Sequence, residues 1–436
     1  MFCKINLNPF SLITISAEKK HIFNETIIIA KGKCWRKKTN KLLSIEKLYP
    51  LLHNSHSQML SEIQGNYLIL LINARKKLLK IITDQIASVP LYYHISKTQI
   101  QLSNNIDKLP SVSLNIKAIN SYSKCGTIPP PSTIYKNIHK LEPGIYEFDN
   151  NNKLFSKKNH TFDEKRPLKE VLNKTLKNIE TYAKKRKLAV LVTGGLDSSL
   201  LAALAKKMKP TLFFAAVDDN KTLQYNLSSI KKCKELSKYL KLPFKVIKVC
   251  KKTFLKNTKK TIRLLDEPLR DYDLPAVYSL FEGISKQIPS ACIISGIGSN
   301  ELFNLPKKYL EIYLNKKIPI EINIHKKLAK NFGLIFYTPY LNEELISFAM
   351  NTPLIKRKGK VPLKKETMRT KILPKKYIMQ QPQHSEIPDT FLNQLKKIYG
   401  NYKLLSFADS FFPESKISPE IKNDFLLKLW INQKYH

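Results

Sequence analysis

The stretch Leu191-Val192-Thr193-Gly194-Gly195-Leu196-Asp197-Ser198-Ser199 joins an apolar run to two glycines, an acid and two hydroxyls. That order of residue types suits a phosphate group. Glycines allow a tight turn and let backbone N–H groups approach a ligand; a following helix adds the positive end of its dipole, and hydroxyls add hydrogen bonds. Asp197 fits beside phosphate if Mg²⁺ lies between them, because the ion takes oxygen ligands from both. The spacing is neither GxxxxGK[ST] nor GxGxxG. The plainer alternative is a Gly-Gly turn in which Asp197 and Ser198 cap a helix.

A phosphate loop needs a strand before it and a helix after it. The periodicity predicts helices over Leu168–Lys185, Ser198–Lys207 and Ser228–Leu240, alternating with strands over Lys187–Val192, Thr211–Val217 and Phe244–Val249. Alternation of this kind builds a parallel sheet. Residues 1 to about 155 read differently, as short strands at Ile27–Ala30, Asn66–Asn73, Leu78–Thr83, Leu91–His94, Gln99–Ser103 and Gly144–Phe148. The 436 residues therefore divide into a β-rich half and an α/β half.

Composition narrows the function classes. Lys+Arg 75 against Asp+Glu 34 gives a net charge of +41, enough to attract polyanions, but only eight of the cations are Arg and the Lys residues are spread along the chain. A general lysine bias explains that spread better than a nucleic-acid groove. The six cysteines show no CxxC pair and no metal spacing, which fits a reducing cytoplasm. No apolar run reaches the roughly 18 residues of a membrane helix, and no export signal is visible.

Thr193–Ser199 resembles the SGGxDSS pyrophosphate loop of asparagine synthetases and their relatives, with Thr193 in place of the first Ser. Further stretches follow in that family's order. They are Gly65–Tyr93, with Asp84 before Pro90-Leu91-Tyr92-Tyr93; Ile128–Pro131 with Lys140–Gly144; Asp266-Glu267-Pro268; Ser295–Phe303; and Thr338–Asn342. The resemblance implies an Ntn-hydrolase-like, glutaminase-type β-rich domain at 1–158. It also implies an adenine nucleotide α-hydrolase-like (PP-loop) parallel-sheet domain at 165–436, helical towards its C-terminal part. The implied reaction activates a carboxylate with ATP and passes the acyl group to an amine, releasing AMP and pyrophosphate. By the same resemblance Thr193, Gly194, Gly195, Leu196, Asp197, Ser198 and Ser199 hold the pyrophosphate. Val217 lies near adenine, Gly296, Ile297 and Gly298 approach the nucleotide, and Asp197 and Asn300 hold Mg²⁺.

Departures from the family pattern set further expectations. Phe2 stands where glutamine-dependent members have Cys, the Arg-Gly and Asn-Gly signatures of active members are not found in the first 100 residues, and Cys3 reads as a small buried hydrophobe. No ammonia production from glutamine is expected. Asn300 replaces the second metal-binding Asp, and Ile297 the acid between the glycines; Glu301 remains beside them as a catalytic candidate. Ile335 and Pro382 replace a Glu and a Lys, so the work of that Lys either falls to Lys375, Lys376 or His384 or is lost. β-Lactam synthetases use a Tyr and a Glu where this chain has apolar residues, so the pattern is more similar to the lasso peptide cyclases. That likeness implies adenylation of an acidic side chain of a precursor peptide and attack by the peptide's own N-terminal amine, with a leader-processing protease as a further partner. The competing expectations are an ammonia-dependent asparagine synthetase and an inert binding protein that uses the +41 charge.

Overall fold

The computed structural model describes residues 1–7, 10–17, 20–23, 25–39, 41–52, 62–110, 113–148, 154–158, 167–218, 223–268, 271–378, 391, 393–394, 397–398 and 425–435. The chain divides into one unit of Met1–Thr161 with Glu311–Asn323 and another of Phe162–Leu310 with Ile324–His436. The segment 311–323 thus groups with the first half, which a boundary drawn near residue 160 does not anticipate.

The first unit is built from strands β1 (Phe2–Leu7), β2 (Phe10–Ser16), β3 (Lys20–Phe23), β4 (Thr26–Arg36), β5 (Ile63–Asn73), β6 (Leu78–Thr83), β7 (Tyr92–Ile95), β8 (Gln99–Ser103), β9 (His139–Lys140), β10 (Ile145–Phe148) and β11 (Leu154–Lys158). They form two antiparallel sheets, β2-β1-β8-β7-β9 and β11-β10-β6-β5-β4-β3. In β1 every second residue is buried, so Cys3, Ile5 and Leu7 point to one face. There they pack with Ile29, Leu68, Leu70, Leu79, Ile81, Ile100 and Leu102, residues of both sheets. The helix Ile45–Leu52 buries Ile45, Leu48, Leu51 and Leu52 against another cluster that holds Ile28, Ile69, Leu71 and Ile82. Asp84, fully buried, accepts from the Tyr67, Ile86 and Ser88 amides and the Ser88 hydroxyl, which fixes the turn before Pro90.

The β-rich reading of this half holds, with differences in extent. β4 runs on to Arg36 because its pairing with β5 continues through Gly32 and Gly65, where the apolar pattern is interrupted by Lys31 and Lys33. Two helices, Ile45–Leu52 and Ile116–Cys125, stand where the sequence reading has none. Pro50 lies inside the first and reads as a breaker, but the amphipathic face outweighs it.

The second unit contains a five-stranded parallel sheet of β12 (Leu188–Leu191), β13 (Thr211–Asp218), β14 (Phe244–Cys250), β15 (Cys292–Ile294) and β16 (Ile335–Tyr337), in the order β14-β13-β12-β15-β16. The earliest strand is central: the chain builds outward to β14, then returns to place β15 on the other side of β12. A crevice opens at such a switch point, beyond the carboxyl ends of the two strands, where open α/β sheets take ligands. The helices Leu168–Ala183, Leu196–Leu204 and Leu223–Leu240 match the predicted alternation within a few residues at each end. Among the described residues no helix is long and apolar enough to cross a membrane.

Burial sorts the thiols, and this gives a test. Cys3 and Cys233 are pushed up to about 12 by burial, and Cys34 is raised further by burial and the Asp84 charge. Exposed Cys250 is lowered instead, chiefly by the Thr253 side chain and then by backbone hydrogen bonds. Brief iodoacetamide treatment at about pH 8, read by peptide mass mapping, is expected to modify Cys250 while Cys3, Cys34 and Cys233 stay unmodified until the protein unfolds. Equal labelling of the four in native protein contradicts this packing.

Candidate active site

The Val192 amide still donates to the Phe213 carbonyl at 2.9 Å, so the chain leaves the sheet only at Thr193. Gly194 then turns it with φ +81, a conformation side chains disfavour. Gly195 precedes the helix Leu196–Leu204, and no side chain caps that helix. The Ser198 hydroxyl instead accepts from the Thr193 amide at 3.1 Å, closing a ring across the turn. The Ser199 amide makes the first helical bond, to the Gly195 carbonyl at 3.1 Å. The amides of Leu196, Asp197 and Ser198 lie ahead of that bond and are the helix's free donors. Asp197 and Ser198 therefore lie in the first turn, whereas the plainer reading of the motif has them cap it.

The second loop, Ser295–Gly298, follows β15 and touches the first. A Cβ at Gly296 would lie 3.8 Å from the Asp197 Cβ and 3.9 Å from the Ser198 amide. Gly298 has φ +92, and a Cβ there would come within 2.5 Å of the Leu341 Cδ2. The missing side chain at Gly298 thus makes room for Leu341. Beside Leu341, the buried Tyr340 hydroxyl donates to the Asp197 carbonyl at 3.1 Å and neighbours Ser299. Burial, with the Asp197 charge added, holds this phenol well above the usual range.

Lys360, which the sequence motifs do not mark, completes the arrangement. It is 7% exposed, and its ammonium pairs with Asp197 Oδ2. Its backbone is left-handed, φ +63, directly after Gly359 at φ +67, a conformation a non-glycine residue keeps only when its surroundings impose it. Those surroundings are visible. The Gly359 amide donates to Asn304 Oδ1 at 2.9 Å, while Arg357, 1% exposed, donates to the carbonyls of Leu302, Leu305 and Thr352. Arg357→Met is expected to lower the unfolding free energy by about 3 kcal/mol, because three carbonyls lose a charged donor. A urea titration showing less than about 1 kcal/mol would remove this turn's anchor from the account.

Asp197 Oδ1, Ser199 Oγ and Asn300 Oδ1 are buried without a hydrogen-bond partner among the described residues. Native proteins leave few such atoms, and clusters of them mark places completed by a ligand. Among the described residues no group of three His, Cys, Asp or Glu side chains forms a metal cluster. Asp197 Oδ1 and Asn300 Oδ1 nevertheless suit Mg²⁺, which takes one or two protein oxygens and completes its shell with phosphate and water.

The remaining predicted residues are placed less uniformly. Val217 is buried near the carboxyl end of β13, while Ile297 and Glu301 are half-buried beside the second loop. Lys375 and Lys376 are exposed on the helix Lys375–Ile378, and Lys376 is engaged by Glu235 on the helix Leu223–Leu240, so neither joins Asp197 as Lys360 does. Ile335 opens β16 and is half-buried. His384 and Pro382 lie outside the described residues. A Lys in the sequence Arg357-Lys358-Gly359-Lys360 has no contrast against the surrounding lysines; only the Gly-Lys turn hints at a special backbone.

Comparison with known proteins bears on the family. Residues 168–330 match the family model described as asparagine synthase, and residues 28–160 match that described as glutamine amidotransferase domain. The chain is similar to asparagine synthetase [glutamine-hydrolyzing] 1 of Bacillus subtilis (strain 168), 23% identical over 275 residues, covering 59% of this chain and 43% of that protein. It is also similar to putative asparagine synthetase [glutamine-hydrolyzing] 1 of Methanocaldococcus jannaschii, 22% identical over 333 residues, covering 70% of this chain and 59% of that one. The chain thus spans about half the length of these curated relatives. Among solved structures, NMN synthetase from Francisella tularensis overlaps 63% of this chain and 96% of its own at 13% identity and a TM-score of 0.28, too loosely to bear on the reading. The chain carries an asparagine synthase-family region at 168–330 behind a glutamine amidotransferase-type domain at 28–160.

Proposed function

We propose that the chain activates a carboxylate with ATP and transfers the resulting acyl group to an amine, forming an amide. The observation that carries this reading is the uncapped helix start at Leu196–Ser198, set at the sheet's switch point with the buried Lys360–Asp197 pair beside it. A carboxylate oxygen attacks the α-phosphorus, the bond to the β-phosphate bridging oxygen breaks, and pyrophosphate leaves. The amine then attacks the acyl carbon, AMP departs, and the amine loses a proton. The amides of Leu196, Asp197 and Ser198 bind the departing diphosphate, and the helix dipole opposes its charge. Asp197 and Asn300 would hold a Mg²⁺, which when bound would supply further neutralisation of phosphate charge. Lys360 holds the Asp197 carboxylate in place and brings a cation to the loop.

Within this reading the substrate is a peptide whose Asp or Glu side chain is adenylated and captured by its own amino terminus, as in lasso peptide cyclases. Two observations support it. Ile297 and Ile335 place apolar surface where a Tyr–Glu pair would mark β-lactam chemistry. Cys3 points into the core of the first unit with its thiol pushed up to about 12, so it offers no nucleophile to glutamine. The chain's work is then confined to an amine already present on the substrate.

The test supplies Mg–ATP with peptides that carry a free amino terminus and an internal Glu, in parallel with aspartate plus ammonium. AMP, pyrophosphate and a peptide lighter by one water are the expected products. Asparagine from aspartate and ammonium, with no peptide turnover, returns the asparagine synthetase reading. No ATP consumption with either substrate set removes the ligase reading.

A further inference from the structure

The missing side chain of Gly194 leaves room that another residue uses. A Cβ at Gly194 would lie 3.0 Å from Cβ and 3.5 Å from Cδ of Lys232, so the aliphatic stem of Lys232 runs against the turn between the strand and the phosphate-binding helix. The Tyr377 hydroxyl donates to the Lys232 carbonyl at 3.3 Å and ties this part of the helix Leu223–Leu240 in place. Lys232 is half-buried and forms no ion pair among the described residues. The carboxylate one turn further along the same helix, Glu235, is occupied by Lys376, and Asp197 is occupied by Lys360.

We propose that Lys232 is a second cation of the diphosphate loop, its stem seated on Gly194 and its ammonium delivered to the phosphate oxygens. The proposal rests on the reading of this loop as a nucleotide site. The charge balance of the loop favours it. Lys360 and Asp197 largely cancel one another, which leaves the amide dipoles and any bound metal to face the polyanion. The neutral Asn300 oxygen also holds a metal less firmly than an acid there would. A lysine that forms no ion pair among the described residues, with its stem packed on the turn itself, meets the need. Gly194 then has two duties, since any side chain there is strained at φ +81 and also displaces Lys232.

The experiment titrates the full chain with Mg–pyrophosphate, Mg–ATP and adenosine. Lys232→Met keeps the stem and removes the charge. Its expected effect is a weakening of pyrophosphate and ATP binding by about tenfold or more, with adenosine binding unchanged. Lys232→Arg is expected to stay within about threefold of the parent chain, because the charge is retained. Lys234→Met, two positions away and exposed, serves as a control with no change. Parent-like pyrophosphate affinity in Lys232→Met overturns the proposal. Equal loss of adenosine and pyrophosphate affinity also overturns it, since that pattern belongs to packing and not to charge. If the unsubstituted chain binds neither pyrophosphate nor ATP, the nucleotide reading itself falls, an outcome distinct from the other two.

Discussion

Asp197→Asn is expected to abolish ATP-dependent pyrophosphate release, with kcat/KM falling by at least about a thousandfold. The substitution removes the one carboxylate on the first loop, which has two duties. One oxygen anchors Lys360, and the other is the buried, unpartnered atom suited to Mg²⁺. It also leaves the Lys360 ammonium, with only 8% of its side chain exposed, without its counter-charge. Removal of one member of a buried pair costs about 3 kcal/mol, so a lowered unfolding free energy should accompany the lost activity. The two effects separate in the double variant Asp197→Asn with Lys360→Met. There the uncompensated charge is gone and most of the stability should return, while activity stays absent. Pyrophosphate release at parent levels in the single variant contradicts the placement of Asp197 at the reaction.

Lys360→Met is expected to lower kcat/KM by about a hundredfold. Here Asp197 keeps its charge but loses the group that holds Oδ2, so its carboxylate is free to rotate away from the loop. Arginine should rescue poorly. Its planar fork needs more room than an ammonium, and the position is already constrained to a left-handed backbone between Gly359 and the helix Val361–Thr370. The check is a pair of steady-state profiles for Met and Arg variants, read beside urea titrations that confirm both are folded. A Lys360→Met enzyme with unchanged kcat/KM removes Lys360 from the site.

The sequence conveyed the parallel sheet and the first loop well, because both are local. Apolar runs at 188–191, 211–218 and 244–250 carry their own signal, and Gly194-Gly195 marks the turn by composition alone. Lys360 was illegible for the opposite reason. It reaches Asp197 across 163 positions, and what delivers it is a left-handed turn fixed by Arg357 and Asn304, neither of which looks special in a lysine-rich segment. Lys375 and Lys376 had the right chemistry and a plausible motif behind them. The fold puts them on an exposed helix, where Lys376 meets Glu235. The packing of Gly298 against Leu341 was likewise hidden, since Leu341 lies on a turn beyond β16.

The most direct measurement is a crystal structure of the full chain with Mg–ATP. The account predicts phosphate oxygens within hydrogen-bond distance of the Leu196, Asp197 and Ser198 amides, with the metal on Asp197. Nucleotide bound elsewhere, or a Gly194–Ser199 turn left without phosphate at saturating ATP, would contradict it.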